Sequence, residues 1–207
     1  MRFVFIFTVL FFVLNSEAQT EYEILLYEAT VNDFDVFGDE AYETNNRITK
    51  DITEKIKPEV GVSNKAEPQG NITFDGKNLL DGNMKTCWMT LGPGKNDAFE
   101  MVIDVEELEG VNSVQITDIY FFNGWRKDLH TWKEYSRIKK LTITISEQPF
   151  AEVTFEDTYH CQSIDIEKLK IDKSRRCRMK FRISEVYPGT KYNQVALSDV
   201  QFGGKVK

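Results

Sequence analysis

Hydrophobic and polar residues alternate along much of the chain after residue 100, which is typical of strands with one buried face and one wet face. The segments that alternate in part or in full are 101–105, 113–120, 141–145, 151–155, 163–166, 179–183 and 195–200. Turn-forming residues lie between them at 92–94, 123–124 and 188–189. Many short strands separated by turns, with few helices, predict an all-β domain built as a sandwich or a barrel.

The first 18 residues have the three-part layout of a secretory signal peptide. Met1 and Arg2 are followed by an apolar run over 3–14, and small residues then favour cleavage after Ala18. The run of about 12 residues is shorter than the roughly 20 that a membrane-spanning helix needs. We therefore predict that residues 1–18 are a signal peptide and that the protein is secreted or periplasmic.

Residues 19–57 differ from the rest of the chain in their pattern of hydrophobic and polar residues. The segment Glu23 to Val31 is expected to form a strand, and isoleucines four residues apart predict a short helix within 46–57. Pro58 ends that pattern, because proline disfavours helix in the residue before it. We interpret residues 19–57 as an N-terminal extension packed on a main domain that spans 58–205.

Composition narrows the classes of partner. The formal net charge is −7 and the pI is near 5.0, whereas binding to nucleic acid needs a surplus of Lys and Arg on one face. The hydrophobic share of 41% is enough for a core, so disorder is not expected. We predict no nucleic-acid partner.

The three cysteines allow two interpretations. Export permits a disulfide, and Cys161 and Cys177 lie on segments predicted as successive strands, so they are the favoured pair. Three buried thiols, including Cys87, are the alternative, and no zinc-binding spacing is present.

No catalytic motif is evident. The patterns of zinc proteases, phosphate-binding loops and serine-hydrolase elbows are absent. His130 and His160 are the only histidines, and nothing indicates a catalytic triad around either. We expect a binding protein, not an enzyme, with no organic cofactor.

Three segments together resemble the galactose-binding-like, discoidin (coagulation-factor type C) superfamily. They are Asn78 to Trp88 with Gly92-Pro93-Gly94, Phe122 to Trp125 running on to 135–141, and Val186 to Tyr192 with 197–202. The nearer branch is the glycan-binding, translocation-associated domain found in an NAD glycohydrolase. The resemblance covers residues 58–205 and implies a discoidin-like jelly-roll β-sandwich, to which a short N-terminal strand and helix are added. The remaining residues are too few for the catalytic domain of that enzyme, so its activity is not implied.

The same resemblance implies one structural calcium ion. Its ligands would come from Asp81, Asn83, Thr86 and Asp199, and calcium takes six to eight oxygen ligands at about 2.3–2.6 Å. The family usually has Glu where this chain has Asp199, and Asp is one methylene shorter. The alternative is that Asp81 and Thr86 only hydrogen-bond the loop to itself. Trp88 is interpreted as a core anchor beneath this loop.

Residues 123–137 (NGWRKDLHTWKEYSR) are the densest group of aromatic, basic and polar side chains. Sugar rings stack on aromatic faces, and their hydroxyls need polar partners. The candidate ligand-binding residues are Asn123, Trp125, Arg126, His130, Trp132, Tyr135 and Arg137.

Six of the seven candidates also have a structural interpretation, which for Trp132 and Tyr135 is to cover the loop. Asn123 with Gly124 favours a turn, and Trp125 is as well suited to packing as to binding. Arg137 is a candidate for a structural ion pair, and a lone histidine such as His130 is more often incidental.

Glycan or glycoconjugate binding is the leading functional hypothesis. The alternative is a protein-interaction or assembly module of the cell envelope, with an envelope or extracellular protein as its partner. Binding to a membrane surface would need protruding apolar loops with basic neighbours, and the acidic chain argues against it.

Overall fold

The computed structural model describes residues 24–31, 52–173 and 175–207. The strands of these residues are β1 Leu25–Glu28, β2 Thr30–Val31, β3 Glu59–Val62, β4 Trp88–Met89, β5 Ala98–Asp104, β6 Ser113–Asn123, β7 Arg137–Ile145, β8 Gln148–Thr154, β9 Gln162–Asp172, β10 Arg176–Tyr187 and β11 Ala196–Val206. The α-helices are α1 Thr53–Ile56 and α2 Leu129–Glu134, and short 3₁₀ helices cover Gly76–Leu80 and Val105–Glu107.

The strands form two sheets that pack face to face. The six-stranded sheet has the order β1-β8-β7-β10-β5-β3, and the five-stranded sheet has the order β2-β9-β6-β11-β4. Neighbouring strands are antiparallel except for β1 and β8, which are parallel. The predicted all-β sandwich is confirmed, and every alternating segment of the sequence lies in or next to a strand. Two short strands, β3 and β4, were not predicted.

The core is made by the inward residues of both sheets. On β10, Met179, Phe181 and Ile183 are fully buried, and the residues between them are exposed. The ring of Phe181 stacks on Phe99 of the same sheet, with 4.6 Å between ring centroids, and meets Phe121 of the opposite sheet edge-on at 6.0 Å. The alternation therefore places every second residue of the strand, which is apolar, between the sheets. Burial of a large side chain there stabilises the fold by about 1.5–3 kcal/mol.

The predicted strand over 23–31 is divided between the two sheets. Strand β1 pairs with β8, the chain crosses at Ala29, and β2 then pairs with β9. We predicted one strand here, and the structure has two because both sheets offer a free edge on this side of the sandwich.

The described part of the predicted helix joins the core. Ile52 and Ile56 are buried against it, and the amide of Phe202 donates to Thr53 Oγ1 at 2.8 Å. The rest of that helix and the signal peptide predicted at 1–18 lie outside the described residues. Among the residues that are described, no helix is long and apolar enough to cross a membrane.

The predicted disulfide between Cys161 and Cys177 is wrong. Both are free and buried, as is Cys87. Cys161 precedes the first residue of β9, whereas Cys177 follows the turn at its other end, so the length of the strand, about 35 Å, separates them. A disulfide needs Cα atoms within about 7 Å. The interpretation as three buried thiols is confirmed.

Candidate ligand-binding end of the sandwich

The predicted site residues gather mainly at one end of the sandwich, which we call the loop end. It consists of the loops over 63–75, 81–97, 124–136, 155–161 and 188–195. These loops are held together by a second hydrophobic cluster, formed by Ala66, Phe74, Cys87, Met89, Trp125, Tyr135 and Ala196. The buried Trp88 lies beneath the loops and donates from Nε1 to the carbonyl of Asn64 at 2.8 Å, so its prediction as a core anchor is confirmed.

The loop at Asp81 brings together three of the four predicted calcium ligands. Asp81 accepts from the amide of Asn83 at 2.9 Å and from Thr86 Oγ1 at 2.7 Å. Gly82 takes a φ of +65°, a conformation that glycine adopts without strain, and this turns the chain back on Asp81. The hydrogen bonds within the loop that the sequence suggested are therefore present.

The fourth predicted ligand, Asp199, lies on β11 and is wholly buried. Its Oδ2 accepts from Gln201 Nε2 at 2.9 Å, and its Oδ1 has no hydrogen-bond partner. Burial raises the pKa of this carboxyl group well above its usual value, although the hydrogen bond from Gln201 opposes the rise. The negative charge of Asp81 raises the same pKa further, so the two carboxyl groups interact electrostatically.

The oxygen atoms at Asp81 and Asp199 fit a hard cation. The unpartnered Oδ1 of Asp199 is an acceptor that a cation would satisfy. A carboxylate has about four lone-pair positions, so Asp81 can bind a cation and keep both loop hydrogen bonds. Among the described residues no three His, Cys, Asp or Glu side chains lie together, so backbone, amide or hydroxyl oxygens would supply the other ligands, as calcium allows. A calcium ion held by Asp81, Asn83, Thr86 and Asp199 stays a prediction.

In the aromatic and basic loop, Asn123 joins the two sheets. Its Nδ2 donates to the carbonyl of Ile138 at 2.7 Å, and the amide of Ile138 donates to its Oδ1 at 2.9 Å. Its own carbonyl accepts from Trp132 Nε1 at 2.9 Å. Only 3% of the surface of Asn123 is exposed, so its polar atoms form hydrogen bonds within the fold and do not face a ligand.

Trp125 and Tyr135 pack in the second hydrophobic cluster, each with 4% of its surface exposed. Trp125 meets Phe74 and Tyr135 edge-on at 5.4 and 5.3 Å between ring centroids. Tyr135 stacks on Tyr192 at 4.5 Å. These aromatic rings pack on one another and close the end of the sandwich.

Arg137 forms the structural ion pair that the sequence suggested. Its Nε and Nη2 donate to the two carboxylate oxygens of Asp157 at 2.8 and 2.9 Å. Its guanidinium carbon lies 4.5 Å from the ring centroid of Trp132. Both Arg137 and Trp132 are about 6% exposed, so each mainly stabilises the loop.

Arg126 is also buried, with 3% of its surface exposed. Its guanidinium carbon lies 5.1 Å from the ring centroid of Phe122 and 4.7 Å from that of Tyr159. Burial lowers the pKa of this group, and the nearby Cys161, Tyr159 and Asp199 oppose that change. Its Nε and Nη2 have no partner, like Asp199 Oδ1 and Gln201 Oε1. Buried polar atoms of this kind are usually satisfied by ordered water.

His130 is the exposed member of the predicted set. Its side chain is 85% exposed, and its Nε2 lies 3.4 Å from Glu134 one turn along α2. The neighbouring residues 127–129 are exposed as well, and Asp128 begins the helix by accepting from the amide of Thr131 at 2.6 Å. The sequence predicted a plain loop here, and this capped turn of helix is what holds 127–130 at the surface.

A hollow that the sequence analysis missed lies beside the loop end, on the outer face of the six-stranded sheet. It measures about 330 Å³, and its polar wall consists of Ser63, Asn96, Glu100, Lys180 and Arg182, with Gly61 and Ala98 also lining it. The sequence does contain a signal for this basic surface, since basic residues occupy alternate positions from Arg176 to Arg182. The same charge pattern would occur on a flat surface, so it does not predict a cavity.

The sequence profile of the NAD glycohydrolase translocation F5/8 type C domain matches residues 52–203. No curated protein sequence matches the chain.

Solved structures share the fold. The chain is similar to the CBM32-1 and CBM32-2 domains from Clostridium perfringens ZmpB, with 17% identity over 90% of this chain and 43% of that chain and a TM-score of 0.54. It is similar in the same way to those domains in complex with GalNAc, with 18% identity over 90% of this chain and 42% of that chain and a TM-score of 0.54. A third similar structure is CBM32-3 from a family 31 glycoside hydrolase from Clostridium perfringens, with 13% identity over 74% of this chain and 93% of that chain and a TM-score of 0.52. The chain spans less than half the length of the ZmpB fragments that it matches. The expected discoidin-like β-sandwich is confirmed.

Proposed function

Because the chain belongs to the NAD glycohydrolase translocation F5/8 type C domain family, we propose that it is a secreted, non-catalytic module that binds a glycan at the loop end. The observation that carries the proposal is the shared fold, since the similar ZmpB domains were solved in complex with GalNAc. Loops presented by a rigid sandwich are a common place for binding residues.

Within the loop end, the proposed contact surface is the exposed turn 127–130. It offers the charged side chains of Lys127 and Asp128, the partly exposed Leu129 and the imidazole of His130. Such a mixture suits the C–H faces and hydroxyls of a sugar. The buried candidates, such as Trp132, would position this turn beneath the ligand.

A glycan array probed with the full-length protein tests the proposal. We expect selective binding by the wild type. The affinity should fall about tenfold or more in the double variant Lys127→Ala/His130→Ala, which corresponds to a loss of about 1.4 kcal/mol of binding free energy. The matched control is Lys173→Ala/Lys205→Ala, whose exposed lysines lie at the opposite end of the sandwich. A folded protein that binds no glycan with a dissociation constant below the millimolar range would refute the proposal.

One structural Ca²⁺ at Asp81, Asn83, Thr86 and Asp199 is part of the proposal. It is supported by the buried, unpartnered Oδ1 of Asp199. A specific site raises the free energy of unfolding by about 2.7 kcal/mol when free calcium is 100 times its dissociation constant. Thermal unfolding with calcium and with chelator should therefore differ for the wild type and coincide for Asp199→Asn. Equal melting temperatures for the wild type in both conditions would remove calcium from the proposal.

Export and the absence of catalysis have their own tests. We expect N-terminal sequencing of the exported protein to start at Gln19. We also expect incubation with a GalNAc-containing oligosaccharide to return it unchanged. A new N-terminus elsewhere, or a released sugar, would contradict the respective part of the proposal.

A protein-interaction role is the second candidate, and the edge strand β1 favours it. Ile24, which precedes β1, and Leu26 on β1 are 47% and 42% exposed, and β1 is the outermost described strand of the six-stranded sheet. An open strand edge with apolar side chains can pair with a strand of another protein. Chemical cross-linking should then give a product that Leu26→Lys abolishes, and an unchanged product would exclude this edge.

A further inference from the structure

The outer face of β10 carries a row of positive charge. Arg176, Arg178, Lys180 and Arg182 point outward, and the residues between them are buried in the core. Because β10 lies between β7 and β5, these side chains stand on the interior of a sheet and not on a loose edge. Successive members of the row are about 7 Å apart, which is the distance of two residues along a strand.

The two halves of this row differ in their partners. Arg176 lies 2.9 Å from Glu59, and Arg178 lies 3.5 Å from Glu100. Lys180 and Arg182 form no ion pair with any other residue in the described part of the chain. The half of the row nearest the loop end therefore keeps two cations without an ion pair among the described residues, on a chain whose formal net charge is −7. Glu100 lies opposite Lys180 on β5, but its ion pair is with Arg178.

The same two side chains border the hollow of about 330 Å³. Gly61 on β3 lines the hollow without a side chain, and a Cβ added there would meet nothing within 4 Å. Asn96, held at a φ of +74° with its amide bonded to the carbonyl of Ile183, adds a side-chain amide to the rim. The hollow thus combines space, two cations and a neutral hydrogen-bonding group. It is also lined by the carboxylate of Glu100, whose charge Arg178 offsets at 3.5 Å.

We propose that this hollow binds the carboxylate or sulfate group of an acidic saccharide, with Lys180 and Arg182 as its charge partners. A guanidinium and an ammonium group about 7 Å apart can reach one anionic group from two sides. Asn96 would hydrogen-bond the sugar hydroxyls beside it. The choice of a saccharide as carrier rests on the proposed function, whereas the anion site itself rests on the charges and the hollow.

Binding of a heparin-derived hexasaccharide to the full-length protein tests the proposal. We expect the dissociation constant to rise about tenfold or more in Lys180→Gln/Arg182→Gln, because charge-assisted hydrogen bonds are the strong ones. Both side chains are exposed, so the substitutions should leave the fold intact. The matched control Lys173→Gln/Lys205→Gln removes the same charge elsewhere and should bind as the wild type does.

The variant Gly61→Leu tests the hollow without changing charge. Its side chain enters open space, and we expect the same loss of hexasaccharide binding with an unchanged melting temperature. Equal losses in the control pair would show diffuse attraction only and overturn the proposal. Tighter binding of a polyglutamate peptide than of the hexasaccharide would overturn the choice of a saccharide.

Failure here is distinguishable from failure of the proposed function. A neutral glycan found on the array depends on residues 127–130, and the variants of the hollow should not affect it. If every variant of the hollow still binds the hexasaccharide as the wild type does, and neutral glycan binding is retained, the anion site alone is refuted.

Discussion

Arg137 and Asp157 form a bidentate ion pair, with 2.8 and 2.9 Å between the donor nitrogens and the two carboxylate oxygens. The third guanidinium nitrogen donates to the carbonyl of Tyr135 at 2.8 Å. The pair ties the first residue of β7 to the loop that follows β8. It therefore fixes the loop 155–161 beside the end of the loop 124–136, which carries the proposed glycan contacts.

The substitution Arg137→Ala should be strongly destabilising. Asp157 keeps 39% of its side chain exposed, so the loss should lie at the low end of the range for breaking a buried pair, about 3 kcal/mol. The control Arg178→Ala removes an exposed ion pair and should cost less than about 1 kcal/mol. Urea unfolding measures both values, and similar losses would contradict the structural role of Arg137.

Gly124 should tolerate no side chain. It has a φ of +84°, and a Cβ there would lie 2.3 Å from Trp132 Cδ1. Gly110 has a φ of +73° with open space around it, so Gly110→Ala reports the backbone strain alone, about 1–2 kcal/mol. We expect Gly124→Ala to lower the free energy of unfolding by at least about 1 kcal/mol more than Gly110→Ala, because overpacking adds to the strain. Equal losses of stability for Gly124→Ala and Gly110→Ala in thermal unfolding would show that the side chain of Trp132 moves to accommodate the added methyl group.

The charge on Asp199 should make the chelated protein less stable as pH rises. Its pKa is raised in the folded chain, so the folded state keeps the proton above about 3.9, where an unfolded Asp loses it. The contribution to stability is full below that value, falls as pH rises towards the folded pKa, and stays lost above it. With chelator, Asp199→Asn should therefore melt at a higher temperature than the wild type at pH 8 and at a similar one near pH 4. Parallel melting curves across this pH range would disprove the effect.

The thiols should be unreactive until the protein unfolds. Burial raises the pKa of Cys161 to about 12 and that of Cys177 to about 11, so little thiolate exists at pH 8. We expect iodoacetamide to label none of the three cysteines in the native protein and all three in urea, as read by mass spectrometry. A Cys161–Cys177 disulfide peptide would contradict the separation that β9 imposes.

The strands could be predicted in advance, but the role of the aromatic and basic loop could not. An alternating segment such as β10 reveals its buried face in its own order of residues. Trp125, Trp132 and Arg137 look the same in sequence whether they face a ligand or one another. Their burial depends on partners far along the chain, such as Lys85 for Trp125 and Asp157 for Arg137.

The all-β class, the positions of most strands and the turn at Asp81 could be predicted from the order of residues, because each depends on residues close together in the chain. Three features emerge only when the chain is folded: which candidates are buried, that Cys161 and Cys177 lie apart, and that a hollow lies beside Lys180 and Arg182. These features depend on which strands become neighbours, since burial and charge pairing follow from distances in space that the local order of residues does not specify.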